Sequence, residues 1–441
     1  SINDRVGSYE LRIDPVVLAN AREFITHVLE SFTTQIDPES FQMSLYMPFI
    51  YENWRFGPGA SNGVRGSHTA QKIGGTFTCT APCESLVLRL RKLNPYFEAF
   101  DSLNGGGTTL VSGSRLTTVP KNEDAMRTIA IEPLGNMALQ LAAGRYLELA
   151  LKRIGLDIST QQPLNKALAM RGSIDGSLAT IDLSSASDMF SPTLVRALLP
   201  SCWYMLLMRL RSPVTELPDG RIVELNMIST MGNGFTFPLM TLCLVSLIYA
   251  NRCSKPGRRL FVDWQDTAVF GDDIIVPTDE YSSLCALLED AGLVVNHDKS
   301  YSSGPFRESC GGDYHEGYDV TPFYVRRLRS NSDIYTVLNQ VTLWCSRHEL
   351  VLFRTIRYLR SLLDEVYFVP EWLNPDQGWL SSQCPRRYKY LKPVIEKVRR
   401  ASDNFDMMLA VGGYIEEIGP DKFYVPRPKR TRYRVGRARV P

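Results

Sequence analysis

The period of the hydrophobic pattern changes several times along the chain, and each change marks an element. Val17, Leu18, Phe24, Ile25, Val28 and Leu29 fall at helix spacing, so residues 1–55 read as mixed helical material. A glycine-rich stretch follows, with Gly57, Gly59, Gly63, Gly66, Gly74 and Gly75 set among Arg55, Arg65 and Lys72. Its composition predicts an irregular loop, either solvent-exposed or approaching phosphates, yet it lacks the glycine-lysine-hydroxyl ending of a Walker loop. Thr128, Ile129, Ala130 and Ile131 predict a strand, and a Leu/Ala-rich helix over about 137–154 is ended by Gly155. Residues 178–182 read as a short buried strand running into a polar loop, 184–188. Over 228–250 a Gly/Ser/Thr loop leads into a helix that tolerates Pro238 in its first turn. Two apolar runs, 267–270 and 274–276, are joined by Gly271, Asp272 and Asp273, which is hairpin punctuation. A helix carrying Leu284, Leu287 and Leu288 stops at Gly292, and a further strand leads to Lys299. Beyond about 330 the pattern is mostly helical, and residues 421–441 have no core-forming period and read as an extended tail. No period of about 20–50 residues repeats, which argues against a solenoid or propeller.

Composition adds scale. The 441 residues are 44% hydrophobic, 22% charged and 10% aromatic, enough for a large core and several subdomains and unlike a disordered or collagenous chain. Nine cysteines without a signal-peptide pattern predict reduced thiols in a cytosolic setting. The longest apolar run, 237–250, is about half of a membrane span and contains Pro238, so no bilayer crossing is expected. The net charge of +2 hides a division. Residues 421–441 hold eight Lys/Arg against one Asp, a charge of +7, which leaves −5 for residues 1–420. An acidic body with a basic tail points to a polyanionic partner.

The chemistry-bearing candidates are carboxylates. An isolated Gly-Asp-Asp is a weak signal, and an ordinary aspartate turn capped by its own backbone is the simpler reading. Here, however, Asp272 and Asp273 sit in a tight turn between β-branched strands, and Asp182 also ends an apolar strand with small residues after it. Aspartates from neighbouring strand ends can hold a pair of Mg2+ ions, hard cations that favour carboxylate and phosphate oxygen. The reaction predicted from that arrangement is nucleotidyl transfer.

Asp182 and Asp188 in residues 179–188, and Asp272 and Asp273 in residues 270–273, resemble motifs A and C of the palm of viral RNA-dependent RNA polymerases. The longer strings at 229–237, 304–311 and 319–324 are similar to the replicase catalytic subunit of small single-stranded RNA bacteriophages, the levivirus group, with a second family-like patch over 56–75. The resemblance implies an α+β right-hand polymerase with fingers, an antiparallel-sheet palm and a helical thumb. Its parts fall as an N-terminal region and fingers over 1–114, fingers with motif F over 115–177, and a palm with motifs A to E over 178–325. A helical thumb over 326–420 and the basic tail over 421–441 complete it. Carried over, Asp182 and Asp272 are principal metal ligands, Asp273 is a weaker one, and Leu183 offers its backbone carbonyl to two Mg2+ ions, with Mn2+ able to substitute. Asp188, Ser229, Gly232, Asn233 and Thr236 lie around the ribose and templating base; a helix N-cap is the plainer reading of that cluster, and both can hold. Lys299 stands as the motif D lysine beside the leaving pyrophosphate, although an isolated lysine is usually a solvated surface residue. Lys121 and Arg127 resemble motif F, which grips the triphosphate. The chain departs from the family at Asp124, where relatives carry a further lysine, and from the wider polymerase pattern at Met240, where that pattern has Asn. The implied activity is primer-independent RNA synthesis on a phage genome in the cytoplasm of an infected bacterium. The implied partners are single-stranded RNA, ribonucleoside triphosphates, host elongation factors Tu and Ts, and a host ribosomal protein.

Other constellations carry less. Cys310 and His315 with Cys345 and His348, or Cys79 with Cys83, match no common zinc spacing. His68 has no assignable acid partner for a hydrolase triad. Cations alternate with aromatics at Arg386, Arg387 and Lys389, and again at Arg427, Lys429, Arg430, Arg432 and Arg434, the combination that suits single-stranded RNA; a solubilising face and a disordered tail are the plainer readings. Two other functions remain open on the sequence: a reverse-transcriptase-like palm polymerase, and a non-catalytic RNA-binding or repressor protein.

Overall fold

The computed structural model describes residues 1–30, 46–64, 66, 69–73, 75–94, 97, 107–120, 126–254, 264–325, 328–394 and 432–439. The chain divides into two compact units, the first made of Ser1–Tyr318 with Phe405–Pro426, the second of Asp319–Asn404 with Arg427–Pro441.

In the first unit, helix α1 (Pro15–Glu30) buries Ala21, Ile25, Val28 and Leu29, the face set by its sequence spacing. Strands β1 (Ser114–Pro120) and β2 (Met126–Ile131) form an antiparallel pair, which β4 (Val214–Glu216) and β5 (Ile222–Glu224) extend to a four-stranded sheet of order β2-β1-β4-β5. Helix α2 (Leu134–Arg153) begins three residues before the expected start, because Pro133 precedes the helical run and sets its entry. Helix α3 (Gln161–Asp175) ends on Gly176 in the left-handed conformation, φ +67°, and β3 (Leu178–Ile181) follows at once.

The central sheet contains β3, β6 (Ala268–Phe270) and β7 (Asp273–Pro277), all antiparallel, in the order β3-β7-β6. Alternation along these strands divides their side chains between two cores. Ile181, Val269, Ile274 and Val276 join the main core, while Leu178, Ala268 and Ile275 pack with Leu168 and Ala169 of α3. A sheet covered on both faces explains the nearly continuous apolar runs of β6 and β7. Helix α4 (Thr236–Cys253) is long and apolar enough to cross a membrane, but it is the core helix of this unit, buried on nearly every side from Thr236 to Arg252. Its last turn is held by Arg252, whose Nε donates to both oxygens of buried Glu280 at 3.0 Å. Helix α5 (Tyr281–Asp290) and the hairpin of β8 (Phe306–Ser309) and β9 (Gly312–His315) follow.

The second unit has its own core. Helix α6 (Asn331–Arg347) starts on a Ser330–Asp333 capping box and, with α7 (Phe353–Ser361), buries Ile334, Tyr335, Leu338, Val341, Leu359 and Leu363. The helical pattern expected beyond 330 ends there. Residues 366–394 form instead a small parallel pair, β10 (Phe368–Val369) with β11 (Trp379–Leu380), and the strand β12 (Arg387–Val394). The expected tail is not wholly extended and unpaired: β13 (Arg432–Arg439) pairs antiparallel with β12. The α+β expectation is met.

Candidate active site

The three aspartates come together through register. Ile181 pairs with Ile274, so the next step of the same ladder places Asp182 opposite Asp273. Phe270 pairs with Asp273, which leaves Gly271 and Asp272 as a two-residue hairpin loop. Gly271 has φ +63°, a conformation that glycine adopts without steric cost. The loop is buttressed by α4: the Gly271 N–H donates to Thr241 Oγ1 at 3.2 Å, and Phe270 packs edge-on against Phe237 at 4.8 Å.

Each flanking carboxylate is fixed by an element sequence reading missed. Asn296 donates through Nδ2 to Asp182 Oδ2 at 2.8 Å, and its backbone N–H donates to the Asp182 carbonyl at 2.9 Å. Ser300 Oγ accepts the Asp182 N–H at 3.1 Å. Leu183 bridges Val295, but the ladder bonds belong to its neighbours Asp182 and Ser184, so the Leu183 carbonyl takes no part in that ladder. Asp273 Oδ1 accepts the N–H of Cys310 at 3.0 Å, from the tip of the β8–β9 hairpin. Burial raises the Asp273 carboxyl above its ordinary range, the Cys310 N–H opposes that rise, and the charges of Asp272 and Asp182 add to it. Mutually repelling carboxylates at strand ends fit a divalent cation. Among the described residues no group of three His, Cys, Asp or Glu side chains is placed to hold a metal ion by itself.

Lys299 is exposed in the turn His297–Lys299 after Asn296. Its charge reaches Glu308 on β8, whose carboxyl is raised by burial and by Asp313, lowered by Lys299, and raised again by Asp273 and Asp182. Lys299 thus lies within electrostatic range of the carboxylate group, and Glu308 enlarges that group.

The loop before α4 is docked on two sides. Met231 donates its N–H to Asp188 Oδ1 at 3.3 Å and accepts the Ala130 N–H of β2 at 2.8 Å. Burial raises the Asp188 carboxyl. Gly232, φ +116°, lies so close to β2 that a Cβ there would come within 2.2 Å of the Ala130 carbonyl. The Asn233 side chain accepts the Phe235 N–H at 3.0 Å, and Thr236 Oγ1 donates to the Thr230 carbonyl at 3.0 Å; these bonds brace the loop, while the helix N-cap is Phe235 with no side-chain cap, so the N-cap reading of the cluster is not met. Asn233 Nδ2 is buried with no partner among the described residues. Behind the loop, Gln140 accepts the Gly234 N–H at 3.2 Å and donates to Glu132 at 3.1 Å, which also accepts from Ser212 at 2.6 Å; burial raises the Glu132 carboxyl. Ser229 is buried nearby in sequence.

Arg127 is exposed on β2, and Lys121 lies outside the described residues. Lys72 of the glycine-rich segment is not offered to phosphates: it is buried, donates to the Gly57 carbonyl, and desolvation lowers its ammonium to about 8. Cys310 sits at the hairpin tip and His315 at the far end of β9, opposite Phe306, so they do not share a ligand site. Arg386 is exposed just before β12, Arg387 and Lys389 lie in β12, Arg432 and Arg434 lie in β13, and Arg427, Lys429 and Arg430 fall outside the described residues.

Carboxylates at the ends of adjacent antiparallel strands, with a polar loop docked beside them, form a candidate site for divalent cations and phosphate oxygen. The sequence profile of the RNA replicase beta-chain family matches residues 31–422, and the chain belongs to that family. It is 44% identical over 234 residues to the RNA-directed RNA polymerase subunit beta of Escherichia virus Qbeta, covering 53% of this chain and 39% of the relative. It is 34% identical over 331 residues to the RNA-directed RNA polymerase beta chain of Enterobacteria phage fr, covering 72% of this chain and 59% of that one. The chain therefore spans about two-fifths of the Qbeta relative's length. Among solved structures, the BmCPV RNA-dependent RNA polymerase at elongation state aligns with 76% of this chain and 32% of its own, at TM-score 0.44 and 10% identity. The RNA-dependent RNA polymerase of a human picorbirnavirus aligns with 54% of each chain, at TM-score 0.38 and 16% identity.

Proposed function

We propose that this chain carries out template-directed RNA synthesis from ribonucleoside triphosphates, copying a single-stranded RNA phage genome without a primer. The observation that carries the reading is the register that sets Asp182 against Asp273 beside the Gly271–Asp272 loop. Asp182, Asp272, Asp273 and the Leu183 carbonyl are the groups that would hold Mg2+. When bound, the metal supplies Lewis-acid activation of the 3′-hydroxyl and charge neutralisation on the pyrophosphate side. Asn296 and Ser300 keep Asp182 oriented, and Cys310 keeps Asp273 oriented. Lys299 donates a proton to the departing pyrophosphate, and Arg127 with Lys121 grips the triphosphate. Asn233 Nδ2 and Asp188 read the ribose 2′-hydroxyl, which selects ribonucleotides over deoxyribonucleotides.

In this reading residues 1–177 build the fingers, 178–325 the palm and 326–420 the thumb. The partners are host elongation factors Tu and Ts and a host ribosomal protein, in the cytoplasm of an infected bacterium. The test is a polymerisation assay on an RNA template with the purified chain, with and without host lysate. Asp272→Asn abolishes incorporation while RNA binding persists; incorporation that survives the substitution sinks the metal assignment.

A further inference from the structure

Strands β12 and β13 pair over eight positions, joining segments that are far apart in sequence. The register sets cation against cation three times: Arg387 opposite Arg439, Lys389 opposite Arg437, and Lys392 opposite Arg434. Like charges directly opposed in an antiparallel pair are destabilising. The two strands together hold seven Lys/Arg and no Asp or Glu. Lys389 is offset by Glu365 at 2.6 Å, whereas Arg387, Lys392, Arg437 and Arg439 are exposed.

The two faces of this ribbon differ. On one, Leu391 is buried in the core of the second unit and Lys389 lies over the Tyr367 ring at 6.0 Å, so this face is anchored. The other carries Tyr388 and Tyr390, half-buried, with ring centroids 6.0 Å apart, and by alternation positions 392, 432 and 434 share it. Gly436, opposite Tyr390, leaves room for that ring: a Cβ there would come within 2.7 Å of it. The outward face thus combines a held aromatic pair with cationic positions, while Arg387, Arg437 and Arg439 alternate onto the opposite face.

We infer that this ribbon is a binding surface for single-stranded RNA, with its lysines and arginines on phosphates and Tyr388 and Tyr390 stacked on unpaired bases. The identity of the polyanion rests on the RNA-copying reading; the charge pattern does not. A polyanion relieves the cross-strand repulsion, and the tyrosines favour unpaired bases over duplex, because stacking needs an open base face.

The decisive variant is the full chain with Lys392→Glu and Arg432→Glu, both on the tyrosine face. It converts the Lys392–Arg434 pair into an opposite-charged one, so the melting temperature holds or rises while RNA binding weakens. Affinity for a fluorescein-labelled oligouridylate falls about tenfold or more. The slope of log affinity against log salt becomes shallower by about 1.4, for two lost phosphate contacts. Tyr388→Ala with Tyr390→Ala lowers oligouridylate affinity more than duplex RNA affinity and leaves the salt slope unchanged. Unchanged affinity and slope in the charge swap overturn the inference, as does a lowered melting temperature with unchanged affinity, which makes the cations structural. Equal binding of duplex and single strand, insensitive to the tyrosines, overturns the single-strand assignment. Asp272→Asn separates this surface from the catalytic reading. A wild-type chain that binds through the ribbon but incorporates no nucleotide, like Asp272→Asn, sinks the polymerase reading alone. A chain that incorporates nucleotides with an inert ribbon sinks this inference alone.

Discussion

Asp182 is oriented by a segment more than a hundred residues downstream, through the Asn296 side chain, the Asn296 backbone and Ser300. A hydrogen bond to a charged group contributes about 1.5–3 kcal/mol. Asn296→Ala therefore lowers the rate of incorporation by about ten- to a hundredfold and raises the Mg2+ concentration needed for half-maximal rate, with RNA affinity kept. A Mg2+ titration of the single-nucleotide rate checks this, and a wild-type Mg2+ profile would remove Asn296 from the site. The aspartates themselves were legible because a charged residue at the end of an apolar strand breaks the pattern around it. Asn296 and Ser300 were not, because no periodicity marks a side chain that reaches back to a strand so distant in sequence. Lys72 meets neither expectation for its glycine-rich segment, solvent exposure or an approach to phosphates, because the fold buries it against the Gly57 carbonyl.

The hairpin of β6 and β7 depends on what the neighbouring helix allows. At Gly271 a Cβ would lie 2.5 Å from Phe237 Cε2, and φ is +63°. Gly271→Ala therefore adds about 1 kcal/mol or more of backbone strain and pushes the Asp272 turn away from α4. The expected outcome is a strong loss of incorporation with RNA binding intact, partly restored by adding Phe237→Leu, which clears the ring. No recovery in the double variant would mean that backbone strain, not the Phe237 contact, decides the effect. This hairpin and β3 were readable because glycine punctuation separates short β-branched runs. The β12–β13 pair was not, because Arg/Tyr alternation without an apolar face looks like a solvated tail until its partner strand is known. The helical expectation for 366–394 failed similarly: β10, β11 and β12 are defined by pairing between segments, not by a period within one.

Across the whole molecule, the charge division first seen in composition meets a structural division, since β13 of the basic tail belongs to the second unit. Deleting 421–441 would strip β12 of its partner as well as removing charge, so a weakened RNA affinity after deletion could not be assigned to charge alone. Each unit has its own hydrophobic core, and that makes a sharper test. Leu338 is fully buried in the second core, among Ile334, Tyr335, Val341 and Leu359. Leu338→Ala leaves a cavity costing about 2–5 kcal/mol. In hydrogen exchange the amides of α6 and β12 then lose protection, while those of β3 and β7, packed in the other cores, keep theirs. Equal loss of protection in β3 and β7 would show one cooperative body in place of two. Retained protection there, with Asp182 and Asp273 still in register, means that incorporation on a short saturating template survives a damaged second core and falls first where the template must be held.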